Sequence, residues 1–491
     1  MQLFLLSRHK WRGYLELINE RNDNLSIASE ISRINHNIAA AYSACSDKGA
    51  TLPSAQNSAH LAETIDSITS GGSTAPERKE VNFYDYDGTL LHSYTVAQAT
   101  ALTSLPALPS HEGLICQGWN YTLAQVQAAT DYLDIGCNYT TDDGSTKLYC
   151  FVPKDTKISQ LKICLTMEPE ESATIHWGDG TTSVVSNSAS TSAKIISTKN
   201  NYSEATADTV LCIRIVGGQF TLGGTGVTVF GESTTAFYSF PLLEKVQIGS
   251  NCIGLYSNAF QNCYSLASVS IPTSVISIDD SAFQKCYNLA FAAIPTGVMS
   301  VGRAAFQECH SLANVSIPMS VTTIGEKAFY HCTSLSFVSI SDSVTEIGNI
   351  PFEGCTALKK AVVHAVLQAV PSQLFNECSS LVSVTLPDSF PCIGDYMFRA
   401  NYKLYRITVP ASVSSIGNLA FYYCQSMMIV DLTAFKGPTQ IPTLANDYYS
   451  VSNNLGGKIY VANSEMLSAF RSATNWSTVP ADKFAIKEAS V

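Results

Sequence analysis

A phenylalanine returns every 23 residues through the second half of the chain: Phe237, Phe260, Phe283, Phe306, Phe329, Phe352, Phe375, Phe398 and Phe421. Only 21 of the 491 residues are phenylalanine, so composition does not produce this register. A period in this range marks one small structural unit repeated along an axis. No single unit can bury its own apolar face, so neighbours must stack into a solenoid.

Other positions keep step with the phenylalanine. Three residues on stand Cys263, Cys286, Cys309, Cys332, Cys355, Cys378 and Cys424, with Phe240 and Asn401 in the remaining slots. Six residues on stands leucine, from Leu243 to Leu404, then Met427. Nine and eleven residues on come pairs such as Val315/Ile317 and Val338/Ile340, often closed by proline. A pair two apart is a short strand with one buried face, and proline ends it because it cannot donate to a ladder. The A-F-x-x-C-x-x-L run places apolar groups three apart, which predicts a helical or 3₁₀ turn. The phenylalanines from Phe260 to Phe421 are the expected core column.

The pattern in "CHSLANVSIPMSVTTIGEKAF" closely resembles the BspA-type leucine-rich repeat, over about 233–435. The tail "GGKIYVANSEMLSAFRSATNWSTVPADKF" resembles the C-terminal cap of such arrays, expected over 436–491. The resemblance implies a solenoid that binds through its concave strand face. The family includes bacterial surface adhesins that bind host or matrix proteins. Outward positions on that face are mostly small and polar. Phe291 and Phe337 stand out, and with Lys360, Tyr405 and Arg406 they form the candidate contact strip, because exposed aromatics and arginine are typical anchors.

Composition narrows the function classes. Hydrophobic residues are 46% and charged residues 14%, enough to build cores, and the net charge of −11 argues against a nucleic-acid partner. No apolar run is long enough to insert in a membrane. The start, "MQLFLLSRHKWRGYLEL", lacks the apolar length of a signal peptide. Fifteen cysteines with no C-x-x-C pair argue against a disulfide framework, and their periodic placement reads as core filling. His310 and His331 sit beside column cysteines without acid or histidine partners in step, so neither metal nor cofactor is expected.

Three segments precede the repeats. Residues 1–77 carry an isoleucine stripe at Ile27, Ile31, Ile34 and Ile38, which fits a helix that pairs with a partner or with a copy of itself. The arrangement "KGATLP....LAETIDSI" resembles the N-terminal segment of phage tail-associated proteins. Residues 78–145 read as a small α/β module. Residues 146–232 read as all-β, and "ATIHWGDGTT" resembles the turn of polycystic-kidney-disease (PKD) type immunoglobulin-like domains. The resemblance implies a spacer, so module and sandwich are expected to form a stalk.

One stretch points elsewhere. "FYDYDGTLL" resembles the first motif of haloacid-dehalogenase-type phosphatases, with Asp85 as nucleophile and Asp87 as general acid. That chemistry also needs a lysine, a later acidic pair for Mg²⁺ and repeated βα units, which do not follow in order. The local alternative is a hairpin with Asp87-Gly88 as a two-residue turn, repeated at Asp143-Gly144. The reading is a multidomain α+β chain built on a repeat solenoid. It is expected to be a non-enzymatic recognition protein for a protein or glycan on a host or bacterial surface, placed on a cell surface or a phage tail; the alternatives are a phosphatase using Asp85 and Asp87 or a purely structural spacer.

Overall fold

Each rung makes two short strands joined by tight turns. In the computed structural model, which describes residues 80–230, 242–445, 451 and 457–487, strands such as Asn314–Ser316 and Thr323–Ile324 recur down the array. Equivalent residues pair in parallel 23 apart, as in Phe291↔Asn314 and Thr323↔Glu346. The isoleucine stripe at 27–38 and Phe237 lie outside the described residues.

The phenylalanines from Phe260 to Phe421 are fully buried and stack ring on ring. Phe306 lies 5.2 Å from Phe283 and 5.4 Å from Phe329, nearly parallel to both. The expected helical turn around them does not form. The residues two before and two after each phenylalanine, such as Ala304 and Glu308, have positive φ in every rung from Asn258 to Tyr423. A left-handed residue interrupts the α-helix, so the run becomes linked β-turns. Cys309 N–H donates to the Phe306 carbonyl and Leu312 N–H to the Cys309 carbonyl.

The cysteine column does more than fill space. Cys332 Sγ donates to the Phe306 carbonyl of the preceding rung at 3.1 Å, and Cys309, Cys355, Cys378 and Cys424 repeat the contact. Burial pushes these thiols up, Cys355 to about 12, so they stay protonated donors and poor nucleophiles. Asn401, the exception in the slot, makes the same bond to the Phe375 carbonyl at 2.9 Å. A buried amide in a thiol column was the available sign that the slot needs a donor.

A β-sandwich abuts the first rung. Its strands are β5 (Thr146–Val152), β6 (Gln160–Met167), β7 (Ser172–His176), β8 (Thr182–Ser186), β9 (Ala193–Asn200), β10 (Thr209–Val216) and β11 (Phe220–Leu222). The first rung supplies β12 (Leu243–Gln247) and β13 (Cys252–Leu255). One sheet runs β8-β7-β10-β5-β12 into the strand at Ser268–Ser270, and the other runs β9-β6-β11-β13. Each sandwich sheet therefore continues into one of the two strand ladders. A single apolar core runs from Leu148 to Phe484. The sandwich closes the open end of the solenoid instead of standing off as a stalk, because the first rung would otherwise expose its apolar interior. At the other end the strands Lys458–Val461 and Phe484–Ile486 extend the ladder, and a helix over Ser464–Ser472 buries Met466 and Phe470 beside Trp476.

The module of 80–141 is a four-stranded sheet in the order β2-β1-β4-β3. Its elements are β1 (Val81–Tyr84), β2 (Leu90–Tyr94), α1 (Val96–Thr100), β3 (Leu114–Trp119), α2 (Leu123–Gln127) and β4 (Leu133–Thr141). Thr95/Gln98 and Thr122/Gln125 form reciprocal capping boxes that start the two helices. Val81, Phe83, Leu133 and Ile135 pack with Ala99 and Val126 in a core of the module's own. Cys116 and Cys137 form a disulfide between β3 and β4, a pair that the cysteine count did not suggest, while the other described cysteines are free.

The hairpin loops correct the two-residue reading. Tyr84 pairs with Leu90, so the loop is the five residues 85–89, and His176 pairs with Thr182 around the five residues 177–181. Both loops close alike. Asp85 N–H donates to the Thr89 carbonyl, and Trp177 N–H to the Thr181 carbonyl. Asp87 Oδ1 accepts from Thr89 N–H, and Asp179 Oδ1 from Thr181 N–H. Ser145 N–H donates to Asp143 Oδ1 in the same way, but β4 and β5 enter different sheets, so that turn passes the chain from module to sandwich. D-G-[T/S] is thus a local turn device used three times in this chain.

Candidate recognition surface

The strand face of the repeats is not open along its whole length. Phe291 is 1% and Phe337 7% exposed, because the module lies on them. Tyr84 packs on Phe291 with ring centroids 5.5 Å apart, and Tyr132 packs on Phe337 at 4.4 Å. Lys360 pairs with Asp131 and sits over the Tyr132 ring. Three of the five strip residues are therefore covered by the module. Tyr405, 50% exposed, and Arg406 stand beyond the module.

Strand β4 explains this docking. Alternate residues face opposite ways, so Leu133, Ile135, Cys137 and Tyr139 enter the module while Asp134, Gly136, Asn138 and Thr140 face the repeats. Gly136 meets the repeats directly: a Cβ there would lie 2.6 Å from the Ala293 Cβ. Gly136 N–H donates to Ser316 Oγ at 3.1 Å, and Ser316 Oγ donates to the Asp134 carbonyl at 2.6 Å. Asn138 Nδ2 donates to the Ile271 carbonyl, Asn120 Nδ2 to the Ile294 carbonyl and Tyr121 Oη to the Ile317 carbonyl. The seam is largely polar, and Asn138 Oδ1, Thr140 Oγ1 and Ser270 Oγ are buried without a protein partner.

Asp134 is buried in this seam. Asn82 Nδ2 donates to its Oδ1 at 3.2 Å. Burial raises its carboxyl from the ordinary 3.8 to about 7, with Asn82 opposing weakly. Tyr84 and Tyr121 share the pocket, and burial first, then the Asp134 charge, raises both phenols. A raised acid contributes stability that is complete below its ordinary value and is lost as pH rises through the folded value. We expect the melting temperature of the docked chain to fall between pH 4 and pH 7, and Asp134→Asn to flatten that slope. A variant with the wild-type slope in thermal melts would remove Asp134 as the cause.

The motif around Asp85 is closed as well. Asp85 is 3% exposed. Its Oδ1 accepts from Tyr139 Oη at 2.8 Å and from Tyr86 N–H, and its Oδ2 lies 2.7 Å from His111 Nε2. Oδ1 holds the loop to β4 through Tyr139 and Oδ2 holds it to the segment before β3 through His111, so both oxygens are engaged within the module. Among the described residues no group of three His, Cys, Asp or Glu side chains is placed to hold a metal ion.

Past the module, the ladder continues through Ser383–Thr385, Arg406–Thr408 and Ile429–Asp431. Thr385, Arg406 and Thr408 are exposed, and Val382, Tyr405 and Met428, the residues just before each strand, are 48%, 50% and 40% exposed. Asp431 is buried and takes Arg406 at 2.6 Å and Lys487 at 3.1 Å. Burial opposes its charge, but hydrogen bonds from Thr433 and Lys487 outweigh that and hold its carboxyl below the usual range.

The description "BspA type Leucine rich repeat region" fits residues 227–313 and 299–428, in 6 copies. Residues 227–428 are a BspA-type leucine-rich-repeat region. Regions of this type are characteristically non-catalytic scaffolds. Solved structures similar to it include a leucine-rich-repeat protein of T. pallidum, at 34% identity over 32% of this chain and 72% of that one, with a TM-score of 0.30. A leucine-rich cell surface protein of Faecalibacterium prausnitzii is 20% identical over 54% of this chain and 94% of its own, with a TM-score of 0.26. A leucine-rich-repeat protein of Bacteroides ovatus is 21% identical over 56% and 95%, with a TM-score of 0.25. No curated protein matches the chain.

Proposed function

We propose that this BspA-type chain is a recognition and adhesion protein whose working surface is the strand face of its repeats. One observation supports the reading most: that face already holds a folded polypeptide, the module, by aromatic packing, hydrogen bonds and an ion pair, and then continues uncovered. Tyr405 and Arg406 are the residues of the candidate strip left to meet a partner. The ligand is a protein or glycan on a host or bacterial surface. The chain sits on a bacterial surface or on a phage tail, the latter reading carried by its N-terminal segment. The isoleucine stripe there joins copies, so that several weak contacts act together. The sandwich is of PKD type and closes the array.

Binding of the labelled full-length chain to intact bacterial and epithelial cells tests this. Saturable binding that Tyr405→Ala with Arg406→Glu reduces at least tenfold is the expected result. Absence of saturable binding, or equal binding by wild type and variant, overturns it. Phosphatase activity that Asp85→Asn abolishes would replace it with the enzyme reading.

A further inference from the structure

The way the module sits on the repeats shows what kind of chain the face accepts. From Asn138 back to Asp131 one extended run crosses the rungs in order. Asn138 bonds the Ile271 carbonyl, Gly136 lies on Ala293, the Asp134 carbonyl takes Ser316, Tyr132 packs on Phe337, and Asp131 pairs with Lys360. Seven steps of extended chain cover about 23 Å at ~3.3 Å each, and four rung steps cover about 19 Å at ~4.8 Å each. The match lets an extended peptide meet successive rungs without bending. The run ends on an acid at a lysine.

The uncovered rungs repeat these terms more strongly. Arg406 occupies the position that Lys360 holds two rungs earlier, and Lys458 follows it down the ladder through Ile429. Lys487 joins Arg406 on Asp431, so two cations meet one buried carboxylate, in a chain whose net charge is −11. The position before each strand is Ala267, Ala290, Ala313, Ser336 and Lys359 along the covered stretch. It becomes Val382, Tyr405 and Met428 where the face is open, and all three are exposed. Thr385 and Thr408 add hydroxyls between them. A cationic column beside an apolar stripe fits a partner that offers carboxylates and apolar side chains from one extended strand.

We propose that the strand face formed by Ser383–Thr385, Arg406–Thr408, Ile429–Asp431 and Lys458 binds an acidic, extended peptide segment of a partner protein, laid across the rungs as Asp131–Asn138 lies across the earlier ones. This deepens the recognition reading and rests on it. The segment places an acid at Arg406 and an apolar residue at Tyr405 and Met428.

The test is fluorescence polarisation of the full-length chain with three synthetic 12-residue peptides. They alternate Asp, Lys or Ser with Tyr and Val in otherwise identical sequences. The Asp peptide is expected to bind at least tenfold tighter than the Lys and Ser peptides and to weaken steeply between 50 and 300 mM salt, as a charge-led contact must. Arg406→Glu is expected to abolish the difference. Tyr405→Ala and Met428→Ala, both exposed positions outside any core, are expected to weaken the Asp peptide about tenfold and keep the wild-type melting temperature. Equal affinity for the three peptides, or an Asp peptide indifferent to Arg406→Glu and Tyr405→Ala, overturns the proposal. If cells still bind through Tyr405 and Arg406 while the Asp peptide does not, this inference falls and the recognition reading stands. If neither binds, both fall.

Discussion

Phe306→Ala is expected to lower the stability of the repeat array by about 3–5 kcal/mol, the usual loss when a buried aromatic ring is removed from a packed core. The ring has no exposed surface and is sandwiched between Phe283 and Phe329 at 5.2 and 5.4 Å, so deletion strips contacts from both neighbours. The rungs cannot close the gap, because their spacing is set by backbone hydrogen bonds such as Phe306 N–H to the Ala328 carbonyl at 2.8 Å. A solenoid is coupled mainly between neighbours, so a lesion in the middle also weakens communication between its halves. Urea denaturation should show an earlier and broader transition with a lower m-value. A loss below about 1 kcal/mol would mean that the column is not the core.

Gly136→Val is expected to lift the module off the repeats while leaving each folded. A Cβ at 136 would lie 2.6 Å from the Ala293 Cβ, far inside contact distance, and 3.2 Å from the Phe291 ring. The module survives because its core, built on Val81, Phe83, Leu133 and Ile135, lies on the other face of β4. Valine is favoured in a strand. Undocking uncovers Phe291, Phe337 and Lys360. Amide exchange should speed at 268–270, 291–293 and 314–316, and stay slow in the buried turns around Phe306. Ala293→Gly should restore part of the protection to Gly136→Ala by removing the opposing Cβ. Unchanged exchange in Gly136→Val would show that the seam yields without separating.

Much of the array was readable because its physics is local and repeated. A 23-residue period, a buried phenylalanine and a Val/Ile pair need no knowledge of distant residues. The turns around the phenylalanine were not readable. Their left-handed residues include Ala304, Lys327 and Ile350, side chains that do not announce positive φ. The cysteine hydrogen bond left one trace, Asn401, which stands where a purely apolar slot would exclude an amide. The strip shows the other limit. Phe291 and Phe337 were legible as outward-facing contact residues, but an outward side chain says nothing about which surface meets it. Tyr84 and Tyr132 lie more than 200 residues earlier, so nothing nearby in the chain marks the pairs.

The sequence by itself determined the solenoid, its period, its phenylalanine core and the positions of the Asp-Gly turns, because each follows from burial, periodicity or turn chemistry within a few dozen residues. Only the tertiary structure decided that the sandwich sheets continue into the two repeat ladders and that the module covers the first half of the strand face. Those arrangements depend on matching surfaces far apart in the chain, where a glycine against an alanine, or an acid against a lysine, has meaning only once both are brought together.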